Sequence, residues 1–187
     1  MSLFSIQTKT SRVKGSKIVL FLGILYFIFG VLLATGFFQI RGLLPVFFLL
    51  SAVCHLLFAW ENTHCAVWKW FLGGSILDWL MGIFLIHFFS NKAQEMPMFF
   101  VGLWLSIKSA GIIGYTTVTA GQSSGIKSRF ILLVSGGLAL VMSLPYFPGS
   151  EAVKLNSGAF LLLGICFFTM TFNTRFNSKY GEEEDIV

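Results

Sequence analysis

Residues 70–89 read Trp-Phe-Leu-Gly-Gly-Ser-Ile-Leu-Asp-Trp-Leu-Met-Gly-Ile-Phe-Leu-Ile-His-Phe-Phe, an apolar run interrupted by a single carboxylate, Asp78. At about 1.5 Å per residue such a run makes a helix of about 30 Å, the thickness of a hydrocarbon core. It lacks the alternation of a strand, and only helices or closed barrels satisfy their backbone inside lipid. The stretch therefore predicts a transmembrane helix with a charge near its middle.

Five further apolar runs of similar length lie outside it, at 18–38, 43–60, 97–118, 130–147 and 157–173. The composition agrees: 56% of the 187 residues are apolar and 11% charged, against about 25% charged in a soluble domain. A soluble fold of this size could not hide that much apolar surface. The connections are short and rich in turn residues, such as Gln39-Ile-Arg-Gly42, Ser90-Asn-Lys92 and Pro148-Gly-Ser150. The expected fold is an all-α integral membrane protein with six transmembrane helices in three antiparallel hairpins. Residues 1–17 form a basic cytoplasmic segment, 18–173 the six-helix domain, and 174–187 a polar, acidic cytoplasmic tail.

Loop charge sets the expected orientation. Lys9, Arg12, Lys14, Lys17, Lys69, Lys127, Arg129, Arg175 and Lys179 fall on one side, and only Arg41, Lys92 and Lys154 on the other. Both termini are thus expected in the cytoplasm of a bacterial inner membrane. The basic leader and Ala34-Thr35-Gly36 would also suit a signal peptidase, but the apolar stretch is long for that purpose. Trp60, Trp68 and Trp70 sit near run ends, as an interfacial belt places them.

The odd-numbered runs share a pattern. Gly23-Ile-Leu-Tyr-Phe-Ile-Phe-Gly30, Ser75-Ile-Leu-Asp-Trp-Leu-Met-Gly82 and Gly136-Gly-Leu-Ala-Leu-Val-Met-Ser143 align without gaps, with small residues seven apart on one helix face. Small residues let helix backbones approach closely in lipid.

Asp78 and Lys108 are the residues most suggestive of function. Asp78 lies about eleven residues from the outer end of its run and Lys108 about eleven residues into the next, so each is roughly 16 Å deep. A hairpin turning near Lys92 and Ala93 sets them at the same depth. An unpaired charge at the bilayer centre costs at least about 2.5–3.5 kcal/mol, so a pair is expected. Asp78 shares its face with Gly74 and Gly82, which points that face at protein; Lys108 shares its face with Trp104, Gly111 and Tyr115. Tyr115 would offer a hydroxyl partner. The pair reads either as a salt bridge fixing the register of two helices or as part of a proton, ion or substrate path.

The histidines are weaker candidates. His55, deep in the second run, reads first as a packing histidine and second as a relay member. His87, at the outer end of the third run near Lys92 and Glu95, is placed to respond to external acid, although an ordinary interfacial histidine is the plainer reading. His64 and Cys65, with Glu61 nearby, lack a further metal ligand. Cys54, Cys65 and Cys166 form no CxxC, and two of them fall in apolar runs. No HExxH or phosphate-binding glycine loop occurs. No catalytic, cofactor-binding or metal residues are expected, and an enzymatic role is not expected. The acidic Glu182-Glu-Glu-Asp185 reads as a solvated end. The implied partners are the lipid bilayer and either a second copy of the chain or another membrane protein. Nucleic acid is not among them.

Three hairpins with Gly-x6-Gly spacing in the odd helices resemble the HdeD-like acid-resistance membrane proteins. The best local match runs from Phe130 through Phe172, where a glycine-bearing helix ends in Pro145 and Pro148 and Ser157-Gly-Ala-Phe-Leu-Leu-Leu-Gly164-Ile follows. The resemblance spans roughly 18–173 and implies a small stress-response membrane protein acting non-catalytically. It carries over no catalytic residues, and Asp78 and Lys108 are not part of its pattern. The alternative is a small transporter or channel subunit using the Asp78–Lys108 pair near the midplane.

Overall fold

The computed structural model describes residues 16–35, 42–63, 68–90, 96–118, 126–143 and 150–183. Six helices account for nearly all of them: α1 (Ser16–Ala34), α2 (Leu43–Glu61), α3 (Trp68–Ser90), α4 (Met96–Val118), α5 (Ile126–Ser143) and α6 (Ser150–Glu183). All six are long and apolar enough to cross a membrane, and there is no strand among the described residues. The protein is an all-α, multi-pass membrane protein built from three hairpins.

Helix ends follow local chemistry. Pro45 falls in the first turn of α2, where its missing N–H needs no partner. At the other end of α2, Asn62 donates its backbone N–H to the Ala59 carbonyl (3.2 Å) and its side-chain amide to the Phe58 carbonyl (2.9 Å). Thr35 closes α1 by donating to the Val31 and Leu32 carbonyls. The helix ends of α5 and α6 differ from the sequence expectation. α5 begins at Ile126 and includes Lys127 and Arg129, while α6 begins at Ser150 and continues through Glu183, into the polar tail. Hydropathy marks the part of a helix that lies in lipid, whereas hydrogen bonding carries the helix past it.

The six small residues of the repeated pattern are all buried: Gly23, Gly30, Ser75, Gly82, Gly136 and Ser143. α3 and α5 use them to rest on the even helix before each in the chain. On α3, Ser75 donates to the Ala52 carbonyl of α2 (2.8 Å), and Gly82 lies under Leu49 and Phe48. On α5, Gly136 lies against Ile112 and Ile113 of α4, and the Ser143 hydroxyl meets that of Ser106 at 2.9 Å. α1 uses them to close on α6, where Gly23 meets Phe168 and Gly30 meets Leu161. A β-carbon at Gly30 would stand 2.9 Å from the Leu161 backbone nitrogen, and one at Gly164 would stand 3.1 Å from the Gly23 carbonyl oxygen. The backbones of α1 and α6 are in contact there. α3 and α4, by contrast, approach each other less closely than α2 and α3 do.

An aromatic cluster fills the centre. Tyr26 packs on Phe47 (5.1 Å between ring centroids), Phe167 (5.0 Å) and Trp104 (5.9 Å), and all four are buried. Outside, Leu80, Ile83, Leu138 and Val141 are exposed, as a lipid-facing surface requires.

Candidate functional site

Four helices converge on Asp78. Its side chain is wholly buried, and both carboxylate oxygens are occupied by donors from neighbouring helices. Oδ1 receives the Lys108 ammonium at 2.8 Å and the Trp104 indole N–H at 2.9 Å, both from α4. Oδ2 receives the Ser51 hydroxyl at 2.7 Å and lies 3.1 Å from His55 Nδ1, both from α2. α1 joins through the Tyr26 hydroxyl, 3.3 Å from Ser51 Oγ. A carboxylate has about four lone-pair sites; here three take a donor each, and the His55 N–H is shared between the fourth and the Ser51 carbonyl.

The partners fix the state of His55. Nδ1 faces the Ser51 carbonyl oxygen (2.8 Å) and Asp78 Oδ2 (3.1 Å), both acceptors, so Nδ1 carries the proton. Nε2 then holds a lone pair toward the Lys108 ammonium, at 3.5 Å. A second proton on Nε2 would put two cations face to face. With the imidazole neutral, the Asp78 and Lys108 charges cancel. Lys108 also donates to the Gly74 carbonyl (3.0 Å) and lies 5.4 Å from the Trp104 ring centroid.

Helical spacing explains why these side chains meet. Ser51 and His55, Gly74 and Asp78, and Trp104 and Lys108 are each four apart and so share a face. Lys108 provides the length needed to bridge the looser contact between α3 and α4. No buried side-chain nitrogen or oxygen among the described residues lacks a hydrogen-bond partner. That saturation matters because an orphaned polar group in an apolar interior is costly.

The structure brings Asp78, Lys108 and His55 together. His55, read first as a packing residue, contacts both charges. The Tyr115 ring lies perpendicular to that of Phe71 (6.4 Å between centroids), and Phe71 in turn packs on His55 (5.7 Å); the hydroxyl of Tyr26 joins the network through Ser51. His87 is exposed on α3, and its expected neighbours Lys92 and Glu95 lie outside the described residues, as do His64, Cys65, Pro145 and Pro148. Ser51, Trp104, Tyr26 and the Gly74 carbonyl were not singled out as partners by sequence reasoning, although Ser51 stands one turn from His55 and Trp104 one turn from Lys108.

No group of three or more His, Cys, Asp or Glu side chains placed to hold a metal occurs among the described residues. A second polar cluster lies between α4 and α5. There Ser106 bonds to Ser143 and to the Gly102 carbonyl (3.0 Å). Ser135 of α5 meets Cys166 of α6 at 3.0 Å. Both groups are small hydroxyl contacts between helices, without a charge. No family model, curated protein or solved structure matches the chain.

Proposed function

We propose that the protein is a non-catalytic inner-membrane protein of the stress, acid-resistance-like type, with both termini in the cytoplasm and its bundle held shut by the Asp78 network. The observation that carries this reading is the complete enclosure of Asp78: Lys108, Trp104 and Ser51 donate to its wholly buried carboxylate, and His55 stands 3.1 Å away. The stress assignment rests on the resemblance of the three glycine-spaced hairpins. Deleting the protein should lower survival under acid or envelope stress more than growth at neutral pH. Equal fitness of deletion and parent in all conditions would remove this reading.

A second reading, a small transporter or channel subunit, is favoured by one observation. Three titratable side chains from three helices meet near mid-helix, where intramembrane ionisable groups commonly mark ion or substrate paths. The two readings differ in water access. Ser75, one turn from Asp78, replaced by cysteine in a background lacking Cys54, Cys65 and Cys166, should resist small water-borne thiol reagents if the bundle is packed. Reaction from either side would favour the transport reading.

A further inference from the structure

The ammonium of Lys108 has three protons and meets three acceptors on two other helices. Asp78 Oδ1 lies at 2.8 Å, the Gly74 carbonyl oxygen at 3.0 Å and His55 Nε2 at 3.5 Å. The Trp104 indole stands beside it, 5.4 Å from the nitrogen to the ring centroid. A primary ammonium donates three hydrogen bonds and is attracted to an indole face. A hard metal cation prefers oxygen ligands on every side. One carboxylate, one carbonyl, one imidazole lone pair and one indole therefore match a primary ammonium in both the number and the kind of partners.

Gly74 makes the space. A β-carbon there would stand 3.0 Å from Nζ and 3.3 Å from His55 Cδ2, so any other residue crowds the cation. The walls have partners other than their occupant. Asp78 also meets Trp104, Ser51 and His55, and His55 bonds to the Ser51 carbonyl.

We propose that this cage is a binding site for a primary ammonium group, ammonium itself or a primary alkylammonium, and that Lys108 is its tethered occupant. The inference goes beyond the proposed function and does not depend on it. Methylammonium is the closest free analogue, since its methyl group stands where Cε stands and its three N–H groups meet the same acceptors.

The test is thermal unfolding of the full chain in lipid nanodiscs, with Lys108→Ala removing the tether. The Tm of this variant should rise with the logarithm of methylammonium chloride concentration, by about 3–5 °C per tenfold once the site is mostly filled. Sodium chloride or tetramethylammonium chloride at equal ionic strength should give no such rise. The unsubstituted protein should respond weakly, because its own ammonium competes at the high effective concentration of a tether. Adding Gly74→Ala to Lys108→Ala should reduce the response severalfold. No response, the same response to sodium, an equal response in the unsubstituted protein, or an undiminished response with Gly74→Ala would each overturn the proposal. If Lys108→Ala is not obtained folded, its folded yield in methylammonium against sodium decides: recovery with methylammonium alone supports the site, and recovery with neither salt overturns it.

Discussion

Asp78 and Lys108 stand on successive helices with their charged atoms 2.8 Å apart, the carboxylate wholly buried and the lysine nearly so. Their helices approach less closely than α2 and α3, so the long lysine side chain provides much of the connection between them. Both charges also bond to groups other than each other. Asp78 is held by α2 through Ser51 and His55, and Lys108 by the backbone of α3 at Gly74. The network thus ties together three helices, and α1 is added by the Tyr26 hydroxyl.

Within the network, Ser51→Ala should cost more than Tyr26→Phe. The serine hydroxyl donates a short bond of 2.7 Å to a buried carboxylate. Bonds to charged groups are worth about 1.5–3 kcal/mol, whereas interhelical bonds measured inside a membrane bundle average about 0.6 and reach about 1.7 kcal/mol. Tyr26→Phe loses only a long 3.3 Å contact and keeps its ring packing, so a loss below about 1 kcal/mol is expected. Unfolding of both variants in the same lipid checks the order, and a larger loss for Tyr26→Phe would reverse the assignment of weight within the network.

The glycines divide into those that hold helices together and those that do not. A β-carbon at Gly30 would meet the Leu161 side chain at 2.7 Å and its backbone at 2.9 Å, whereas one at Gly137 would meet nothing within 4 Å. Gly30→Ala should push α1 from α6 and cost about 1–3 kcal/mol, as overpacking does. Gly137→Ala should be neutral or stabilising by up to about 1 kcal/mol through helix propensity. Equal unfolding free energies for the two variants would contradict the α1–α6 contact.

Much of this fold was legible because lipid imposes a length and a composition on each helix. The six runs could be found without any packing information. The ends were less legible: Lys127, Arg129 and the segment after Phe172 are polar yet helical. Arrangement was legible only in part. The helices are apolar all round, since a lipid-facing Leu80 and a core Leu85 have the same chemistry, so no amphipathic stripe points inward. The small residues gave the direction instead, at Gly23, Gly30, Ser75, Gly82, Gly136 and Ser143. At the site, Asp78 and Lys108 stood out because charge is rare in lipid. Ser51 and Tyr26 did not stand out, because a serine and a tyrosine in an apolar helix are ordinary until the helix that faces them is known.

Orientation is expected from the loop charges. Single cysteines at Ser5, Asn91 and Ser178, in a background without Cys54, Cys65 and Cys166, can be probed with an impermeant thiol reagent in intact cells. Labelling at Asn91 alone is the expected outcome. Labelling at Ser5 or Ser178 without Asn91 would invert the topology.

The central claim is that Asp78 and Lys108 act as one unit that locks the bundle, and a double-mutant cycle on unfolding in a lipid bilayer tests it most directly. Asp78→Asn and Lys108→Met each leave a buried partner uncompensated, which typically costs about 3–5 kcal/mol. The double variant removes both charges and should recover most of that loss, giving a coupling energy of at least about 2 kcal/mol. Losses that simply add, with no recovery in the double variant, would contradict the claim.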